Sequence, residues 1–150
     1  MIIVKSIDEI IHMNESYSQI WAIVNTCKPG QLPARAIQVK ELAPSNELFA
    51  LYRDAVHNEE FNREWFDNKY VPRFLMELAR NTRASKLLHA LCESEKHDET
   101  MVLACFCENP RLCHRTIIAN ILYCMGADVS GYDDRCLDHY ETYYNFLRCG

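Results

Sequence analysis

The stretch Met101-Val102-Leu103-Ala104-Cys105-Phe106-Cys107-Glu108-Asn109-Pro110-Arg111-Leu112-Cys113-His114-Arg115 decides how this chain folds. Its first seven residues form a continuous apolar run after the polar segment Lys96–Thr100, the pattern of a central strand buried on both faces. Glu108 to Leu112 has the composition of a turn-forming loop. Beyond it, Ile117, Ile118, Ile121, Leu122 and Met125 recur on one face of a helix, and Gly126 stands where a helix C-terminal glycine belongs. The stretch therefore reads as strand, loop and helix.

Working outward, Trp21-Ala22-Ile23-Val24 is a short apolar strand that stops at Cys27-Lys28-Pro29-Gly30. Met1 to Ile7 and Ala127-Asp128-Val129 are further strand candidates. Pro44-Ser45 opens a helix with Ser45 as N-cap, after which Leu48, Phe49, Leu51, Tyr52, Ala55 and Val56 follow at helical spacing. A second helical region runs from about Phe61 to Leu78, anchored by Phe61, Trp65, Phe74 and Leu78, with Pro72 bending or splitting it. Leu87, Leu88, Leu91 and Cys92 mark a third helix, and a tyrosine-rich helix is expected from about Asp134 to Leu147. Strands alternating with helices predict a single layered α/β domain over residues 1–150, with a largely parallel sheet flanked by helices.

The chain has 150 residues, 49% hydrophobic and 25% charged, enough to bury a core without disulfide staples. Repeats, charge blocks and flexible linkers are absent from it. Lys5, Asp8 and Glu9 interrupt the apolar start, so we expect neither a secretory leader nor a membrane anchor, and a cytoplasmic location. The eight cysteines are then expected to be reduced thiols. A formal charge of −5 argues against general nucleic-acid or membrane-surface binding, while leaving room for one local anion site.

Three cysteines, one histidine and two arginines fall within the eleven residues Cys105–Arg115. Open α/β sheets place their ligand crevice at this carboxyl edge, and the following helix start favours an anion. Three readings follow. In the first, Cys113 or Cys105 is a nucleophile and His114 carries the proton. Arg115, Arg111 and Asn109 then bind a phosphate-bearing small molecule, most plausibly a nucleotide, with Arg115 beside Cys113 favouring the thiolate. The same crevice without turnover would be a binding module for a nucleotide or a partner chain. In the second, Cys105, Cys107, Cys113 and His114 form a Cys₃His zinc site, the only cofactor the sequence suggests. In the third, the thiols pack the core. Asn25 and Lys28 follow a strand and would reach the same edge if the strands are parallel, which makes them further ligand contacts. Cys105 and Arg111 also have the Cys-x₅-Arg spacing of cysteine phosphatases. Pro110, the missing glycines and Ala104, where those enzymes carry histidine, depart from that pattern.

Elsewhere the residues read as structural. Cys27, Cys92 and Cys124 have apolar neighbours and fit a core, whereas Cys136 and Cys149 read as exposed. His12, His57, His89, His97 and His139 have no metal-ligand spacing. Tyr132, Tyr140, Tyr143 and Tyr144 pack a terminal helix or line a contact surface. The sequence sets no oligomeric state.

Two stretches carry a family resemblance. One is Lys40-Glu41-Leu42-Ala43-Pro44-Ser45 with Leu48, Phe61, Tyr70 and Leu75. The other runs from Val102-Leu103-Ala104-Cys105 through Pro110 to Cys113-His114-Arg115 and its helix. Over about residues 20–126 the chain resembles domain-of-unknown-function family 488, also called YeaO-like. The resemblance implies a small cytosolic α/β protein of bacteria or their phages, and no set reaction. Members tend to carry an acidic residue two positions after the strand-ending cysteine, where this chain has Cys107, with Glu108 one later. Members also often carry an arginine after the first strand, where Lys28 is the candidate substitute.

Overall fold

A computed structural model describes residues 1–11, 17–107, 112–130, 140–141 and 144–145. The chain starts with β1 (Ile2–Ser6) and turns at once into α1 (Ile7–Ile11). Ser6 and Glu9 make this turn a capping box. The Ser6 hydroxyl accepts from the Glu9 amide at 3.2 Å and the Glu9 carboxylate accepts from the Ser6 amide at 3.3 Å. Strands β2 (Gln19–Ala22) and β3 (Ala36–Gln38) come next, then a 3₁₀ turn at Lys40–Leu42.

Helix α2 (Asn46–His57) begins as expected at Ser45, whose hydroxyl accepts from the Leu48 amide at 3.1 Å. The Glu77 carboxylate in turn accepts from the Ser45 amide at 2.9 Å and from its hydroxyl at 2.5 Å, tying the start of α2 to a later helix. Ser45→Ala removes both hydroxyl bonds, to Leu48 and to Glu77, and leaves the amide bond to Glu77. We expect it to cost about 1–2 kcal/mol in a denaturant titration, the usual range for a lost cap. An unchanged midpoint would show that Glu77 holds α2 through the backbone alone.

The second helical region is one rod of three windings: α3 (Arg63–Trp65), a π turn (Phe66–Tyr70) and α4 (Val71–Ala79). Pro72 lies in the first turn of α4, where its missing N–H is least costly, so the rod changes winding rather than breaking. Helix α5 (Thr82–Lys96) is capped by Asn81, which accepts from the amides of Arg83 and Ala84. Strand β4 (Met101–Cys105) then leads to α6 (His114–Cys124). Gly126 ends α6 at φ +92°, with the Gly126 and Ala127 amides returning to the Tyr123 and Leu122 carbonyls as in a Schellman motif.

The strands pair in the order β1-β4-β2-β3, all parallel. Five consecutive residues of β4 are fully buried, so the apolar run is the middle of the sheet, as its sequence requires. In register, Ser6 pairs with Cys105 and Ala22 with Ala104, which aligns the carboxyl ends of β1, β4 and β2. Leu42, Leu48, Phe74, Leu75, Leu78, Leu88 and Leu91 close the core around the sheet.

Several expectations change. Of the α2 apolar set, only Leu48 and Ala55 are buried, Tyr52 is half-buried, and Phe49, Leu51 and Val56 are exposed. The strand expected over Met101–Cys107 ends at Cys105, leaving Cys107 in the loop. Ala127–Val129 contributes one bridge, between Val129 and Ile2, rather than a strand. His12, Glu108, Asn109, Pro110, Arg111, Tyr132, Cys136, His139, Tyr143 and Cys149 lie outside the described residues.

Candidate metal centre

Cys105 is the last residue of β4 and Cys113 is the N-cap of α6, so the loop between them returns the second thiol to the first. Their sulfurs lie 3.2 Å apart in the buried interior. A cysteine at an N-cap position can turn its side chain back to the helix amides, but Cys113 makes no such bond. Its sulfur faces Cys105 and stands 3.6 Å from His114 Nδ1.

The orientation of His114 is set from behind. Its Nε2–H donates to the Ile23 carbonyl at 2.7 Å, and a carbonyl only accepts, so the ring is fixed as the Nε2–H tautomer with the Nδ1 lone pair free. Ile23 is itself held to the sheet through its amide bond to the Ala104 carbonyl. Phe74 meets the imidazole edge-on, ring centres 5.8 Å apart. With Cys107, the donor atoms Cys105 Sγ, Cys113 Sγ and His114 Nδ1 form a group whose members all lie within 4.8 Å of one another.

Hydrogen bonds from Cys107 and Cys113 hold the Cys105 thiol well below its ordinary value, helped by the positive Arg115. The hydrogen bond to Cys105 pushes Cys107 up to about 12. Cys113 is pushed up by burial first, then by its bonds to the other two thiols. Of the two thiols the sequence offered as nucleophile, Cys105 is the one held down by its neighbours, whereas Cys113 is pushed up.

Arg115 is only 2% exposed, and its Nε and Nη1 have no hydrogen-bond partner among the described residues. A guanidinium in that position calls for a counter-charge. Its field acts on Cys105 and Cys107 and also on the Glu9 carboxylate, so both the thiol cluster and Glu9 lie within its reach.

A cavity of about 140 Å³ opens beside the cluster, with Cys105, Cys107 and His114 on one wall and Asn25, Phe49 and Phe106 on others. Of the two residues expected to join from the β2 side, Asn25 lines this cavity. Lys28 does not: it is exposed in its turn, where its amide donates to the Gln31 side chain. Arg115 lies outside the cavity lining too.

Cys92 is buried as expected, and its burial raises the thiol to about 11, while Cys27 and Cys124 are half-buried against the core. His57, His89 and His97 are exposed. The sequence reading did not single out the Ile23 carbonyl, Phe74, Phe49 or Phe106. A backbone carbonyl leaves no mark in a sequence. Phe106 was hidden inside a run read wholly as strand. Among the described residues, no helix is long and apolar enough to cross a membrane.

No curated protein and no solved structure matches the chain. The chain belongs to the DUF488-N3a family, described as the active DUF488-N3 subclade, which it matches over residues 8–126.

Proposed function

We propose that this protein is a zinc domain, with Cys105, Cys107, Cys113 and His114 holding one ion at the carboxyl edge of the sheet. The observation that carries the reading is the convergence of four donors with the histidine already in its metal-binding tautomer. A carbonyl partner behind a ligand histidine is the usual outer-shell arrangement of metal sites. Tetrahedral zinc, with Zn–S of about 2.3 Å and Zn–N of about 2.0 Å, spaces sulfur from nitrogen by about 3.6 Å. That agrees with the 3.6 Å between Cys113 Sγ and His114 Nδ1, while the 3.2 Å between Cys105 and Cys113 Sγ is shorter than the roughly 3.8 Å of two zinc-bound sulfurs, so the two thiols would part slightly on binding. Three thiolates and a neutral imidazole on zinc carry one net negative charge, which supplies the counter-charge for Arg115.

When bound, the ion would fasten the end of β4 to the start of α6. Zinc titration of metal-stripped protein against a chromogenic chelator tests this. We expect one equivalent for the native chain and none held by Cys107→Ser. Metal-free protein with full thermal stability and no zinc uptake would refute it.

A second reading is favoured by the buried Arg115 and by the cavity that opens on the thiols. In it the site binds or transforms a small anionic ligand of nucleotide type, in line with a family described as active. Cys105 would then be the thiolate and Cys113 its hydrogen-bond donor. His114 would exchange a proton only at Nδ1, since Nε2 is committed to Ile23. Fast alkylation of Cys105 in folded, metal-free protein would favour this reading, and slow alkylation relieved by chelation would favour zinc.

A further inference from the structure

We infer that the cavity beside the thiol cluster is a recognition slot for a nucleobase-like heteroaromatic ring, read along one hydrogen-bonding edge. The inference stands on the cavity walls, and deepens the small-ligand reading of this edge without depending on the metal.

Two large aromatic side chains that a folded core would normally take in are left in solvent at this cavity. Phe49 is 47% exposed and Phe106 is 37% exposed, and both line it. They come from different parts of the chain, Phe49 from α2 and Phe106 from the residue after β4. Arg53 lies over the Phe49 ring at 5.2 Å, which steadies that ring at the cavity mouth. Solvent-exposed aromatic side chains beside a small apolar space can supply a stacking partner for a flat ring.

The polar wall supplies the edge. Asn25 Nδ2 donates to the Pro44 carbonyl at 3.4 Å and to Asn46 Oδ1 at 3.0 Å. A carbonyl only accepts, so the Asn25 amide is oriented with its nitrogen spent and its oxygen uncommitted. Asn46 Oδ1 accepts one of these bonds, and its NH₂ keeps its donors. Both residues line the cavity. The pair therefore offers one acceptor and one donor, bonded to each other and held in fixed order. Its complement is a ring edge with a donor next to an acceptor, the lactam or amidine edge of a nucleobase. A purely apolar ring would leave both amide groups unpaired and bind less well.

The test is ligand-observed NMR and calorimetry with uracil, cytosine, adenine and hypoxanthine, and with 1,3-dimethyluracil as a ring lacking edge donors. Each is measured at millimolar concentration on zinc-loaded and on chelator-treated protein. We expect at least one base to bind and dimethyluracil to bind several-fold more weakly. Phe49→Ala and Phe106→Ala should each weaken the bound base at least about fivefold, the lower end for loss of a stacking partner. Asn46→Ala should bring the base down to the dimethyluracil level. All three substitutions are at exposed positions, and circular dichroism checks that each variant is folded. Failure of all four bases, or binding insensitive to both phenylalanines, overturns the slot. Equal binding of uracil and dimethyluracil overturns the edge reading. Base binding by a protein that takes up no zinc would sink the metal centre and leave the slot standing.

Discussion

Cys113→Ser is expected to remove zinc binding and to lower the thermal midpoint, although by local helix chemistry alone it should do the reverse. Cys113 is the N-cap of α6, with extended backbone and no side-chain cap bond. Serine is among the best N-cap residues, and in a merely packed cluster it would be neutral or would stabilise the helix by about 1 kcal/mol. If the sulfur is a metal ligand, its loss removes one of four donors. Zinc affinity should then fall by more than the roughly 10–100-fold that follows loss of an outer-shell partner. Because metal binding by such sites is coupled to folding, stability should drop by several kcal/mol, on the order of a sizeable part of the ion's binding energy. The two accounts differ in sign, so a melting curve with and without zinc separates them. A variant at least as stable as the native chain, with zinc uptake unchanged, would remove Cys113 from the ligand set.

Phe74→Ala is expected to be the most damaging core substitution near the site. Phe74 is fully buried and stacks on Tyr70 at 6.1 Å while meeting His114 edge-on at 5.8 Å. Removing a buried phenylalanine ring typically costs about 3–5 kcal/mol. Here a second effect should follow. The ring occupies one side of His114, and the imidazole would be left with the Ile23 carbonyl and the Cys113 thiol to orient it. Zinc affinity should therefore fall in protein still folded at low temperature, and Phe74→Leu should restore most of it. A stability loss with native zinc affinity would show that the Ile23 carbonyl orients the ring unaided.

The parts of the fold that were legible in the sequence are those where burial and local chemistry point the same way. β4 reads directly because all five of its residues are buried, and Ser45, Gly126 and Pro72 mark helix ends or changes of winding through their own backbone preferences. β3 was missed because its three residues lie on an edge strand and none is buried. α1 was missed although Ser6 and Glu9 stand at capping-box spacing, because the apolar Met1–Ile7 pattern drew the strand reading past its true end at Ser6. Phe49, Leu51 and Val56 show the converse limit, since helical spacing places residues on a face but does not supply a partner for it.

At the site, the density of cysteines pointed to residues that the fold brings together. Proximity to a helix start suggested Cys113 as the thiolate. In the fold both Cys105 and Cys113 are buried, and it is the hydrogen bonds from Cys107 and Cys113 that pull the Cys105 thiol down while Cys113 is pushed up. The tautomer of His114 depends on a carbonyl 91 residues away in sequence, and no local motif encodes that pairing.

The most direct test of the central claim is X-ray absorption at the zinc edge on protein purified from zinc-supplemented culture. The account predicts one ion per chain, with three sulfur neighbours at about 2.3 Å and one nitrogen at about 2.0 Å. A zinc shell made only of oxygen and nitrogen, or protein that emerges folded without the metal, would contradict it.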